Sequence, residues 1–181
     1  YGCECGFEDS FDFRKKGIAK LQWRVDWPMR WHFENVAFEP SGKEHSSDGG
    51  SNTTAEETSR KLWNYEPPFH IMYEFISIKG SGGKMSSSKG NTSDVKGMLS
   101  IYEPELVRFL FARTMPSKSF EISFDADVIT IYDAFDRLER TFFGEEEAPE
   151  NQAEQLKRMY ELSSINIPKK LPFRPGFRHI T

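Results

Sequence analysis

The sequence predicts an α/β protein. Apolar residues alternate at Leu21, Trp23 and Val25, and Tyr73–Ile78 is a second strand-like run. The C-terminal third then shows helical spacing instead. The chain has 181 residues, with 37% hydrophobic and 29% charged. Sixteen Phe, six Tyr and four Trp supply a core and exclude a fully disordered chain. No apolar run reaches the roughly 18–20 residues of a membrane span. A net charge of −4 excludes a generic polyanion binder, so any nucleic-acid contact must be a local patch. The chain opens at Tyr1 rather than Met and shows no signal peptide, which reads as a piece of a longer protein.

Residues 1–17 open with Cys3 and Cys5, two thiols one residue apart and followed by Gly6. Two cysteines make no disulfide framework. They read either as half of a tetrahedral zinc knuckle, which needs four ligands, or as free thiols. Residues 18–40 read as a strand and a connection, with Pro28 ending regular pairing. Trp23, Trp27 and Trp31 fall within nine residues. They are either core or an aromatic-walled pocket with Arg24, Asp26 and Arg30 as its polar groups.

Residues 41–59 are small, polar and Gly-rich, and read as a loop able to approach a ligand closely or as a solvated surface loop. Glu56 to Asn64 suit a short helix stopped by Pro67-Pro68. After the 73–78 strand comes Gly80-Ser81-Gly82-Gly83-Lys84-Met85-Ser86-Ser87-Ser88-Lys89-Gly90-Asn91. Backbone N–H groups, hydroxyls and two ammonium groups are what a phosphate cradle needs. It is not a Walker A loop, because Met85 follows Gly83-Lys84 and Ile78 stands where the first Gly belongs.

Ser93 and Asp94 predict a capped helix through Leu99. Pro104 predicts a first helical turn, with Leu106, Val107, Leu110 and Phe111 sharing a face. Val128, Tyr132, Phe135, Leu138 and Phe142 predict another helix toward Gly144. An acidic linker follows at Glu145–Glu150, then a last helix over about 151–164 and a basic, Pro-rich tail from Lys169 to Arg178.

Lys84-Met85-Ser86-Ser87-Ser88-Lys89-Gly90-Asn91 resembles the K-M-S-K-S signature loop of class I aminoacyl-tRNA synthetases. Asp26-Trp27-Pro28-Met29-Arg30-Trp31, the Gly42-Lys43-Glu44-His45-Ser46-Ser47 loop with Gly49-Gly50-Ser51, and Glu66-Pro67-Pro68 together resemble the class I lysyl-tRNA synthetase family. The resemblance implies the second half of a Rossmann-like nucleotide-binding domain followed by a helical stem-contact region. Its divisions are the end of an inserted zinc-bearing region at 1–17, the catalytic half-domain at 18–100, the stem-contact region at 101–145, and a linker with the start of an anticodon-binding domain at 146–181.

The reaction it implies is lysine plus ATP, with its Mg2+, to lysyl-adenylate, then transfer to the lysine tRNA. The enzyme would work in the cytoplasm, with no membrane partner. Lys84 and Lys89 are the catalytic candidates, and the signature's usual second lysine is Ser87 here. The ATP-binding candidates are Gly42, Glu44, His45, Lys84, Met85, Ser86, Ser87, Ser88 and Lys89. Lysine needs an aromatic wall and an acceptor, for which Trp23, Trp27 and His45, with Asp26, are the candidates. Cys3 and Cys5 become two ligands of a Zn2+ site completed outside this chain.

No His-x-Gly-His segment occurs, although class I enzymes carry one near the start of the nucleotide fold. The 181 residues alone are therefore expected to lack synthetase activity, and half a parallel sheet is expected to self-associate. Two other readings compete. One is a zinc-knuckle RNA-binding module without chemistry, and the other a class I synthetase for a different amino acid.

Overall fold

In the computed structural model, described for residues 2–17, 19–83, 85 and 92–179, the chain forms two compact units, 1–72 and 73–181. Both mix helices with short strands, so the α/β class expected from sequence is observed. Among the described residues, no helix is long and apolar enough to cross a membrane.

In the first unit, Trp23–Glu34 is helix α1, not the strand expected from Leu21, Trp23 and Val25. The alternation is overridden by the four-residue spacing of Trp23, Trp27 and Trp31, which puts all three on one helical face. Trp27 and Trp31 are buried with Ala55 from helix α2, Ser51–Trp63. Pro28 lies inside α1 and is buried, so packing outweighs the loss of one backbone donor. Asn35 ends the helix at φ 54, its N–H bonded to the Trp31 carbonyl.

Strand β1, Phe38–Gly42, pairs with β2, Phe69–Tyr73. Between β1 and α2, Lys43–His45 makes a single 3₁₀ turn. Helix α2 starts five residues before the Glu56 expected from sequence. Ser51, Asn52, Thr53 and Thr54 are weak helix formers, but here the Asn52 and Thr54 side chains bond along the helix. Thr54 Oγ1 donates to the Gly50 carbonyl at 2.9 Å, and Asn52 Nδ2 to Glu56 Oε1 at 2.8 Å. Ser59, fully buried, donates to the Tyr65 carbonyl at 2.9 Å and ties the helix to the chain beyond it.

In the second unit, the single strand expected over 73–78 is broken after Tyr73, and β3 is Ile76–Ile78. It pairs in parallel with β4, Phe120–Ile122, in the register Ile76↔Phe120 and Ile78↔Ile122. The sequence reading contains no strand at 120–122. Helix α3, Val95–Leu99, is capped as expected, with Asp94 Oδ1 accepting from Gly97 N–H at 2.7 Å. Helices α4, Pro104–Ala112, and α5, Asp127–Phe142, also match expectation. Helix α6, Ala153–Ser163, is slightly shorter than predicted.

The core joins Leu106, Phe109 and Leu110 of α4 to Ile131, Phe135 and Leu138 of α5, Tyr160 of α6 and Ile122 of β4. Phe111, expected on the buried stripe of α4, is about half exposed and meets the Phe120 ring edge-on at 5.4 Å. The acidic linker is not simply solvated, since Glu146 accepts from Arg140 Nε at 2.6 Å. The tail crosses α5 through Arg174 on Glu139 at 3.2 Å, Arg178 on Asp133 at 2.7 Å, and Phe177 stacked on Tyr132 at 4.0 Å.

Candidate functional site

The first unit gathers three of the aromatic residues singled out in the sequence. Trp27 is 7% exposed and holds the centre. Trp23, one turn earlier and 51% exposed, stacks on it with centroids 5.2 Å apart and planes at 21°. His45, from the 3₁₀ turn after β1, meets Trp27 edge-on at 5.8 Å and 66°. An exposed indole therefore rests on a buried one, which also meets the His45 imidazole and, at 5.2 Å, the buried Trp31 ring. Such a wall suits an alkyl chain ending in a cation.

Asp26 is buried beside this wall, and its Oδ2 accepts from Arg30 Nε at 3.0 Å. That contact holds the Arg30 guanidinium protonated to higher pH than usual, chiefly through the Asp26 hydrogen bond. Asp26 and Arg30, both expected as pocket polar groups, thus form an (i, i+4) pair along α1. Arg24 instead reaches Thr54 Oγ1 on α2 at 3.4 Å.

Two glycines shape the turn that carries His45. A side-chain carbon at Gly42 would stand 2.5 Å from Glu44 Oε2. One at Gly50 would stand 2.6 Å from the carbonyl oxygens of His45 and Ser47. Ser41 Oγ and His70 Nε2 are 2.7 Å apart, fixing β1 to β2 just before Gly42. Ser46 Oγ and Asn52 Oδ1 are buried polar atoms without a hydrogen-bond partner among the described residues. The sequence reading missed the roles of Gly50, His70 and Asn52. Only the Gly49-Gly50-Ser51 triplet signalled a close approach there.

Near the N-terminus, Cys3 and Cys5 are both exposed. Cys3 N–H bonds the Phe7 carbonyl and Gly6 N–H the Cys3 carbonyl, each at 2.8 Å, closing a tight turn. Cys5 N–H points at Cys3 Sγ, 3.5 Å away. The Cys5 thiol is held below its ordinary range, first by Cys3 and then by the Phe7 backbone. The described residues contain no group of three or more His, Cys, Asp or Glu arranged to hold a metal. Two thiols supply at most two of the four ligands that a tetrahedral site needs.

In the second unit, β3 leads into the glycine run. Gly80, Gly82 and Gly83 have φ of 78°, 73° and 130°, a backbone region open chiefly to glycine. Met85 is half-buried. Lys84, Ser86, Ser87, Ser88 and Lys89 lie outside the described residues.

The family model for class I tRNA synthetases (K) matches residues 1–166, and the chain belongs to that family. It is 50% identical over its whole length to the lysine–tRNA ligase of Borrelia garinii subsp. bavariensis, covering 35% of that protein. It is 43% identical to that of Treponema pallidum and 44% identical to that of Pyrococcus furiosus, over 99% of this chain and 34% of each relative. The chain thus spans about a third of the length of these curated relatives.

Proposed function

We propose that these residues are the lysine- and nucleotide-binding portion of a class I lysine–tRNA ligase. The observation that carries this reading is the Trp23–Trp27–His45 wall, in a chain similar to lysine–tRNA ligases along its whole length. The lysine alkyl stem lies on the exposed indole of Trp23. Trp27 and His45 hold that indole's side of the pocket, and Asp26, fixed by Arg30, is the acceptor candidate for the ammonium. Gly42 lets Glu44 and His45 come close to the ribose and adenine of ATP.

In the first step a lysine carboxylate oxygen attacks the α-phosphorus of ATP and pyrophosphate leaves with the bridging electron pair. Charge grows on the leaving group, and ammonium groups that meet it there lower the barrier. Lys84 is proposed for that role, with Lys89 standing in for the lysine that Ser87 replaces. Met85, Ser86, Ser87 and Ser88 complete the ATP-binding segment. Magnesium enters with ATP and offsets phosphate charge. In the second step a terminal ribose hydroxyl of the lysine tRNA attacks the lysyl carbonyl, and AMP leaves.

The same reading assigns residues 18–100 to the second half of a Rossmann-like domain and 101–145 to a stem-contact region. Residues 1–17 and 146–181 belong to the zinc-bearing and anticodon-binding parts, in an enzyme of the cytoplasm. Cys3 and Cys5 supply two thiolates to a structural Zn2+. The exposed rings of Phe38 and Phe69, stacked at 6.2 Å, support self-association of the 181 residues taken alone.

The test is amino-acid-dependent ATP–pyrophosphate exchange with tRNA present, on these residues and on the natural full-length chain. Exchange with lysine in the full-length chain only is the expected result. Exchange with another amino acid would overturn the specificity. Exchange with none would overturn the enzymatic reading and favour a zinc-knuckle RNA-binding module.

A further inference from the structure

The first residue after β3 is tied down more firmly than its exposure suggests. Lys79 N–H donates to the Ile122 carbonyl of β4 at 2.9 Å. Its ammonium sits between two carboxylates, 3.0 Å from Asp125 Oδ2 and also paired with Asp127 Oδ2. Asp125 is itself fixed, accepting from Ser123 Oγ at 2.6 Å and from Asp127 N–H at 3.0 Å. The Ser123 carbonyl accepts from the buried Tyr102 hydroxyl, which roots the cluster in the core.

Asp125 lies well below the usual carboxylate range, first through Ser123, then Asp127 and Lys79. The Lys79 ammonium is held above its ordinary value by Asp127 and Asp125. Asp125 and Lys79 therefore both stay charged near neutrality. The next residue, Gly80, already has a left-handed φ of 78°, and among the described residues nothing stands within 4 Å of where its side chain would be. Ser81 N–H then donates to the Ile78 carbonyl at 3.0 Å, closing a turn with Lys79 and Gly80 at its centre, so the direction in which the glycine run starts is fixed at Lys79.

An isolated exposed ion pair contributes little to stability. Three groups locked to a strand end and to the first turn of α5 do something else, which is to fix a direction. We propose that Lys79 is a positioning residue for adenylate formation. Clamped by Asp125 and Asp127, it sets where the glycine run leaves the sheet, and so where the lysines beyond it meet the triphosphate. The inference rests on the reading of residues 84–91 as the nucleotide-handling segment. A misplacement near 1 Å remote from the chemistry can cost up to about a hundredfold in rate.

The experiment uses the natural full-length chain and measures lysine-dependent pyrophosphate exchange for Lys79→Met, Lys79→Arg and Asp125→Asn, each beside its thermal midpoint. Lys79→Met and Asp125→Asn are expected to lower kcat by about tenfold or more, with KM for ATP and lysine within about threefold. Lys79→Arg, which keeps the charge and both partners, is expected to recover most of the rate. Wild-type rates in Lys79→Met would overturn the proposal. So would a fall in kcat matched by a lowered midpoint and by failure of Lys79→Arg to recover, which marks a merely structural role. If the unsubstituted chain shows no exchange with lysine, the enzymatic reading itself fails and takes this proposal with it.

Discussion

The imidazole of His45 meets the edge of the Trp27 indole, centroids 5.8 Å apart and planes at 66°. The two residues come from different elements, one from the turn after β1 and the other from the middle of α1. Trp27 is buried, so it fixes the wall, whereas Trp23 stacks on it from outside and is free to meet a ligand.

That division predicts the kinetics of Trp23→Ala in the full-length chain. A half-exposed ring whose loss leaves Trp27 and Trp31 packed should cost little stability. A cation over an indole face is worth about 0.5–2 kcal/mol. The substitution should raise KM for lysine by about twofold to thirtyfold and leave KM for ATP nearly unchanged. Equal effects on both substrates would assign Trp23 to packing alone.

The two glycines of the turn predict opposite outcomes for the same substitution. At Gly42 the new methyl would meet only the far end of the Glu44 side chain. Gly42→Ala should therefore keep the thermal midpoint and raise KM for ATP, because the Glu44 carboxylate must move. At Gly50 the methyl would meet the backbone carbonyls of His45 and Ser47, which cannot swing away. Gly50→Ala should destabilise by about 1–3 kcal/mol and weaken both substrates. Thermal unfolding and the two KM values, measured on both variants, separate the cases.

What could be read from sequence depended on how local the cause was. Asp94 as a cap, Pro104 at a first turn and the Phe135–Leu138 face of α5 are each decided within a few residues, and all three helices form where expected. At helix α1 two local patterns compete, the alternation at Leu21, Trp23 and Val25 and the four-residue spacing of Trp23, Trp27 and Trp31, and burial of the second against Ala55, far along the chain, favours the helix. The early start of α2 was hidden by side chains that usually favour turns but here bond back into the helix. Strand β4 escaped because three residues carry little pattern and their parallel partner is remote. At the candidate site the aromatic residues were legible by type. The close approach at Gly50 was not, because it is set by the path of the His45 carbonyl.

Cys3 and Cys5 predict a zinc content. The turn presents both sulfurs outward, and Cys5 ionises more readily than an ordinary thiol. The full-length chain should hold one zinc per molecule by elemental analysis, and Cys3→Ser or Cys5→Ser should lower that ratio sharply. These 181 residues alone should release zinc readily to a chelator, since two thiolates make half a tetrahedron. Unchanged zinc in both variants would return the cysteines to free thiols.

Tyr160 and Glu139 predict the alkaline limit of the helical unit. Tyr160 is 1% exposed and donates to Glu139 Oε1 at 2.8 Å; Glu139 is 3% exposed and takes Arg174 at 3.2 Å through the same oxygen. Burial first, and the Glu139 hydrogen bond second, push the Tyr160 hydroxyl up to about 12. The folded state therefore keeps a proton that the unfolded chain loses near pH 10. The stabilisation is fully present below that pH and drains as pH rises toward about 12. Denaturant unfolding between pH 9 and 11.5 should show stability falling with pH, by up to about 1.4 kcal/mol per pH unit from this one group. Tyr160→Phe should make the fall shallower. It should also lower stability at neutral pH by about 1–3 kcal/mol, because Glu139 loses a buried donor. An equally steep alkaline fall in Tyr160→Phe would place its cause elsewhere, with Tyr102 and Tyr132, whose hydroxyls burial also pushes up, as the next groups to substitute.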